Sequence, residues 1–446
     1  MFMTTPEGQM TFSDQFFNKA DEPCLDRHHY VRMRDAVEWK NLYQGLGDQY
    51  CLVNGRPSKA VQVLVLLHMV KHYEDESDVK VVERLRTNLA LQKACGLTFL
   101  EAQKYIDPSS MSRFRERIGE EGAVLIAGEV DRYLDRKRVR KGKCVVLDTT
   151  VSPSNIAYPT DISLLEKARQ LLLRFIKRYK KWTGKSYRTK SRKARKEFLL
   201  YIKLKRRNRK LTKKVQGKMI RFVRRNQKQA EEVMAAVKEG MGAKKTKMIE
   251  RWEKTIAVIR KMQEQQTEIW RKMKRSGVKA GIHISDRIVS IFRPYVRPMP
   301  RGKTPVATEF GGKLLAECRN GFLRILSIVF DNKADCEMAS GHIWNWKGMN
   351  IGGDRGMDSP ENKAEAAREG ANYLVERRGK TSQPKTNAVK RIRGKRAGIE
   401  AKYSLGKRCH GLGRVLYNRG AWSEKVWIEW GVMAMNLKLA FKRLQV

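Results

Sequence analysis

Three carboxylates stand where a strongly basic chain has least reason to keep them. Asp148 closes the apolar run CVVLD, Asp354 follows NIGG in MNIGGDRGMDSPEN, and Glu400 is the one acid among ten Lys and Arg side chains between 390 and 420. A carboxylate beside a phosphate repels it unless a cation lies between them. Phosphodiester cleavage through two divalent metals needs a compact set of hard oxygen ligands of this kind. Around Glu400 the spacing adds to the picture: Arg396, Glu400, Tyr403 and Lys407 recur at helical intervals on one face. A carboxylate between two phosphate-seeking cations suits a nuclease helix, although a surface ion-pair ladder has the same spacing. Singly, each acid has a plain structural reading. Asp148 can begin a turn, Asp354 can form an Asp-Arg-Gly turn, and Glu400 can pair with Arg396 or Lys407.

To act together these residues must be carried on strands and a helix, and the hydrophobic pattern supplies both. CVVLD reads as a buried strand, and strand ends are where α/β folds place their sites. VATEFGGKLLAE and FLRILSIVF are two more strands, joined at Asn320-Gly321 by a hairpin signal. MNIGGD ends another strand, and a helix then starts with Ser359 as cap and Pro360 at its first position. ANYLVERR is a further candidate strand, and from about residue 387 the chain reads as helical apart from HGLG. The acids thus fall in an α/β domain formed by residues 141–161 and 277–446.

Two other regions surround it. Residues 1–140 read as a helical N-terminal domain. SKAVQVLVLLHMVKHY is predicted to start at a Ser58 cap, and DPSSMSRFRERIG is predicted to be a short helix capped by Ser109 or Ser110. Arg113, Arg115 and Arg117 along that short helix suit a DNA-binding domain of helix-turn-helix character, or else the charged outer face of an ordinary bundle. Residues 162–276 form a basic helical insertion. Leu164, Ala168, Leu171, Phe175 and Tyr179 share one helical face there, as do Ile249, Trp252, Ile256 and Ile259. EGMGAKK at 239–245 is the expected turn of a long hairpin. Between 171 and 230 there are 25 Lys or Arg and one acid, Glu197. Such a run destabilises a helix unless an anion neutralises it.

Composition narrows the partner. The 446 residues suggest two or three domains, and their net charge of +47 with pI ≈ 10.2 calls for a polyanion. A bilayer span needs about 20 apolar residues, whereas the longest run, AVQVLVLL, is broken at Gln62. No secretory pattern opens the chain, so the expected location is cytoplasmic, at the nucleoid. Seven scattered cysteines without a CxxC pair read as reduced thiols. His68 and His72 have the i, i+4 spacing of metal ligands but lack the HExxH glutamate, so they read as polar positions on an amphipathic helix. Trp182, Trp252 and Trp270 read as core positions of the insertion; stacking on a flipped base is the alternative.

These motifs resemble the DDE transposases of bacterial insertion sequences, most closely insertion sequence family 5 and the related family 4. SKAVQVLVLLHMVKHY…DPSSMSRFRERIG is similar to their N-terminal helical domain, VVLDTTV and GGDRGMDS to their two Asp motifs, and RAGIEAKYSLGKRCHGLGRVLYNRG to their Glu motif. The resemblance implies an RNase H-like mixed sheet with flanking helices. It makes Asp148, Asp354 and Glu400 the ligands of Mg²⁺ or Mn²⁺, two ions in all. Arg396 and Lys407 match the basic positions of the Tyr-Arg-Glu-Lys signature and would hold DNA phosphates. The signature's tyrosine falls at Arg393, and that role has no residue here. The implied activity is cleavage at the element's ends by metal-activated water, then attack of the freed 3′-hydroxyl on target DNA. The partners would be double-stranded DNA, at terminal repeats and target, and a second copy of the chain. A silent DNA-binding protein and an RNase H-fold nuclease without strand transfer stay open. If the acids act together, Asp148 and Asp354 end neighbouring strands and Glu400 lies on a helix beside them.

Overall fold

A computed structural model describes residues 25–50, 57–241, 246–276, 282, 284–300, 308–343, 346–375 and 387–444. The first helices are α1 His29–Asp35, α2 Trp39–Gly47, α3 Val61–Tyr73, α4 Asp78–Thr87, α5 Leu89–Cys95, α6 Phe99–Lys104 and α7 Pro108–Arg136. Strand β1, Cys144–Pro153, is followed by α8 Asp161–Tyr179, α9 Ser191–Ile202, α10 Arg209–Met241 and α11 Lys247–Ser276. Then come β2 Pro298–Pro300, β3 Thr308–Arg319, β4 Phe322–Val329, α12 Asp335–Ala339 and β5 Asn350–Gly352. The chain closes with α13 Pro360–Arg368, β6 Asn372–Tyr373, α14 Asn387–Cys409 and α15 Ala421–Arg443. Two compact units result, Met1–Asn155 with Gly311–Val446, and Ile156–Phe310.

In the first unit a mixed sheet runs β4-β3-β1-β5-β6. β1 is antiparallel to β3 and parallel to β5, β3 is antiparallel to β4, and β5 is parallel to β6. Asn320 and Gly321 both have positive φ, 50 and 79, and make the expected tight hairpin between β3 and β4. Successive residues of β1 point to opposite faces, and both faces are covered. Val146 packs with Leu314, Ile399, Tyr403 and Trp427, whereas Val145 and Leu147 pack with Met338, Trp346 and Ile351. Ser359 caps α13 with Pro360 first, as read from the sequence.

The helices α1–α7 share a core with α15, which contributes Val426, Trp430, Met433, Leu437 and Phe441. α15 also presents Trp427, Ile428 and Val432 to the sheet, so it is apolar around most of its circumference, as a central helix must be. Three expectations for this region change. α3 begins at Val61 with Ala60 at its cap position, and Ser58 does not cap it. His68 and His72 are not on a polar face. Both are buried, and His68 Nδ1 bonds the Leu64 carbonyl at 2.7 Å while Arg115 reaches its Nε2 at 3.1 Å. Burial holds that imidazole neutral, with its pKa down to about 3. The DPSSMSRFRERIG segment is the expected short helix, but neither Ser109 nor Ser110 caps it. Asp107 caps it, Pro108 is its first residue, and it breaks at Gly119, φ 57, beyond which a second helical stretch completes α7 to Arg136. Arg115 is consumed internally by Asp78, at 3.1 and 2.7 Å, and lies over Tyr417; Arg117 lies over Tyr50. Of the three arginines assigned to a DNA-facing surface, Arg113 and Arg117 are exposed and Arg115 is buried.

The second unit is helical. Leu164, Ala168, Leu171, Phe175 and Tyr179 of α8 are buried against α10 and α11, whose Ile249, Ile256 and Ile259 close the same core. The insertion is therefore more than a two-helix hairpin, because α8 and α9 also pack on α10. The turn expected at 239–245 lies mainly outside the described residues. Trp252 and Trp270 pack on the core, whereas Trp182 is 40% exposed and covers Gly240. β2 pairs with the first residues of β3, Pro298 opposite Phe310.

Candidate active site

Register brings the two aspartates together. Val146 of β1 pairs with Gly352 of β5 in parallel, so Asp148 and Asp354 each lie two residues beyond a matched pair. Asp148 is inside a ten-residue strand and does not end it, because β1 continues antiparallel to β3 as far as Pro153. Two glycines let Asp354 approach. A Cβ at Gly352 would lie 2.0 Å from Ile392 Cγ2 of α14, and one at Gly353 would lie 2.8 Å from Met357 Sδ. Asp354 then caps a short turn, Arg355–Met357, by accepting from the Arg355 amide at 2.8 Å.

The third acid arrives on α14, which packs against β1 and β5. Ile399 and Tyr403 face the sheet core, which leaves Glu400 on the exposed side of the same helix. Arg396 links the acids: its Nη1 lies 2.9 Å from Asp354 Oδ1 and its Nη2 3.2 Å from Glu400 Oε1. Asp148 feels all three groups. Its carboxyl is pushed up to about 6, chiefly by burial and also by the Asp354 and Glu400 charges, against the downward pull of a hydrogen bond from the Thr149 main chain and of the Arg396 charge. Lys407 lies about two turns beyond Glu400 on α14.

Whether a divalent metal fits is a matter of donors and arrangement. Three carboxylates are the hard oxygen set that Mg²⁺ and Mn²⁺ prefer. As they stand, the Arg396 guanidinium is the cation between Asp354 and Glu400. Among the described residues no group of three or more His, Cys, Asp or Glu is placed to hold a metal ion. The chemistry of the donor set fits; its present arrangement is closed by an arginine.

Two positioning contacts escaped the sequence reading. Tyr403 Oη donates to the Asp148 carbonyl at 2.8 Å, and only its helical spacing from Glu400 hinted at a role. On the other face of β1, Asp335 accepts from Thr149 Oγ1 at 2.9 Å and pairs with Lys313 at 2.6 Å. Its Oδ2 lies against Gly356, where a Cβ would be 2.7 Å away, so it braces the turn that follows Asp354. No motif marks Asp335.

Comparison with known proteins gives this arrangement its context. A family model described as a transposase domain (DUF772) matches residues 19–117. An uncharacterized protein of Rhizobium meliloti, ORF8 in the nfe locus, is 36% identical over 170 residues, which cover 37% of this chain and 82% of that protein. The chain belongs to the bacterial insertion-sequence transposases. Within the transposase, the matched domain runs through α1–α6 into the first part of α7, and the three acids lie beyond it. No solved structure matches the transposase. Among its described residues no helix is long and apolar enough to cross a membrane.

Proposed function

We propose that this transposase is of the DDE type, with an RNase H-like core, and that it cleaves the ends of its element and joins the 3′-hydroxyl to target DNA. What carries the reading is the pairing of Asp354 and Glu400 with one guanidinium, Arg396, whose charge and theirs all reach Asp148. Three acids gathered from a strand, the turn after its neighbour and a helix repel one another, and a purely structural role gives no return for that repulsion. The order β4-β3-β1-β5-β6, with antiparallel strands on one side of β1 and parallel strands on the other, supports the RNase H-like reading. The Arg-x3-Glu-x6-Lys spacing supports insertion sequence family 5 or 4.

Asp148, Asp354 and Glu400 are the residues that would hold Mg²⁺ or Mn²⁺. When bound, the metal supplies the charge and water activation that phosphodiester cleavage needs. The chain's own part is positioning. Tyr403 fixes α14 against β1, Asp335 braces the turn after Asp354, and Arg396 and Lys407 hold phosphate oxygens. Double-stranded DNA is the substrate, and joining two element ends calls for at least two copies of the chain.

Asp354→Asn and Glu400→Gln test the reading in a cleavage assay on DNA carrying the element's ends. Both variants should bind that DNA and fail to cut it in Mg²⁺. Retained cutting by either would remove that residue from the site. The Arg396 bridge also favours a second reading, a catalytically silent DNA-binding protein, and absence of cutting by the unaltered chain would select it.

A further inference from the structure

The second unit holds like charges together at one defined place. Its stretch from 171 to 230 carries 25 Lys or Arg against Glu197, and Lys218 occupies that acid at 2.8 Å. Within the stretch, the segment before α9 is laid along α10 by amide side chains. The fully buried Asn226 donates to the Thr189 carbonyl at 3.2 Å and to Gln229 Oε1 at 3.1 Å. Gln229 in turn donates to the Arg188 carbonyl at 3.4 Å. Lys190 follows with φ 51, a left-handed conformation that a lysine enters at some cost, and it starts α9 without a side-chain cap.

This anchoring sets Arg188, Lys190 and Lys193 beside Arg225 of α10. The Arg225 charge, then reduced hydration, then the Arg188 and Lys193 charges all lower the Lys190 ammonium. Arg188, Lys193 and Arg225 are exposed or partly exposed. Fold stability gives no reason for the arrangement: backbone strain and a buried amide are used to hold cations against one another. A phosphodiester backbone reverses the sign, since each phosphate relieves the crowding and releases condensed counterions.

We propose that Arg188, Lys190, Lys193 and Arg225 form a preset site for the phosphate backbone of duplex DNA, which they hold without reading its sequence. Duplex DNA, as the polyanion concerned, rests on the transposase reading; the site itself does not. Phosphate binding of this kind needs no metal and no cleavage.

The test uses the full chain and a short random-sequence DNA duplex, with affinity measured across a salt series. Lys190→Gln with Arg225→Gln should weaken binding about tenfold and flatten the slope of log affinity against log salt by about 2, roughly one for each phosphate that is no longer neutralised. Without DNA the melting temperature of this double variant should hold or rise, because crowding is relieved. Lys254→Gln with Arg271→Gln makes the same charge change at exposed positions of α11 and should alter affinity and slope much less. An equal loss of affinity in that control would assign the effect to overall charge and overturn the site. So would unchanged binding by the first double variant, whereas an RNA duplex that competes as well as DNA would overturn duplex DNA as the occupant and leave the phosphate site standing. A chain that binds as described but never cuts would sink the transposase reading and leave this site standing.

Discussion

The Tyr403 hydroxyl donates to the main-chain carbonyl of Asp148 at 2.8 Å, tying the helix that carries Glu400 to the strand that carries Asp148. Tyr403 is buried, so Tyr403→Phe keeps the packing and removes this one bond. The expected cost is about 0.5–1.5 kcal/mol, read from denaturant unfolding. The cleavage rate should fall while DNA affinity stays the same, because the ring touches the scaffold of the site. A variant with parental stability and parental rate would show that the two elements are held without it.

Gly352 sets how closely α14 approaches β5. Its replacement by Ala would put a Cβ 2.0 Å from Ile392 Cγ2, a distance that forces one of the two to move. Gly352→Ala should destabilise by about 1–3 kcal/mol. Ile392→Ala in the same chain should recover part of that stability by vacating the space. Failure of the second change to restore stability would mean that the strand itself, and not the helix packed on it, needs the glycine.

How much of this was legible in the sequence depends on how local the cause was. The Asn320-Gly321 hairpin, the Ser359-Pro360 helix start and the buried stripe of α8 follow from near neighbours, and they could be read directly. The cap of α7 was misplaced because Asp107 outcompetes Ser109 and Ser110, which follow it two and three residues later. His68, His72 and Arg115 looked polar and outward because their partners are distant: Asp78 and Tyr417 satisfy Arg115 from other elements. The three acids could be picked out by residue type and spacing, but the Arg396 link between Asp354 and Glu400 depends on strand register and helix placement. Asp335 carries no pattern at all, since its partners Thr149 and Lys313 come from two different strands.

Acid should loosen the helical layer before the remaining charges matter. Burial alone would raise the Asp78 carboxyl, but its hydrogen bond from Arg115 and the Lys71 and Arg115 charges outweigh that and hold it at about 2, below its ordinary 3.8. Hydrogen bonds from His29 and Tyr30 hold Glu74 at about 2, below 4.5. Both folded values lie below the unfolded ones, so the stability they contribute is present above about pH 4.5 and is lost as pH falls toward 2. Asp78→Asn should flatten the unfolding free energy across that window. It should also cost about 3–5 kcal/mol at neutral pH, because Arg115 and Lys71 are left buried without their counter-charge. An unchanged acid profile would place the titrating groups elsewhere.

Arg396 is where the two readings of the acid cluster part. Its guanidinium lies 2.9 Å from Asp354 and 3.2 Å from Glu400, and its charge pulls down the Asp148 carboxyl. Arg396→Ala leaves three acids with no cation between them, so the melting temperature without divalent metal should fall. Added Mg²⁺ should then raise it by more than in the parent chain, because the ion meets donors freed from their arginine. Arg396→Lys keeps a charge but loses the planar fork that spans both carboxylates, so its melting temperature should lie between the two. Cleavage should drop in Arg396→Ala even at saturating Mg²⁺, since a phosphate has then lost its holder. If Mg²⁺ shifts variant and parent equally, the carboxylates are not its ligands, and Arg396 is an ion-pair partner in a structural cluster.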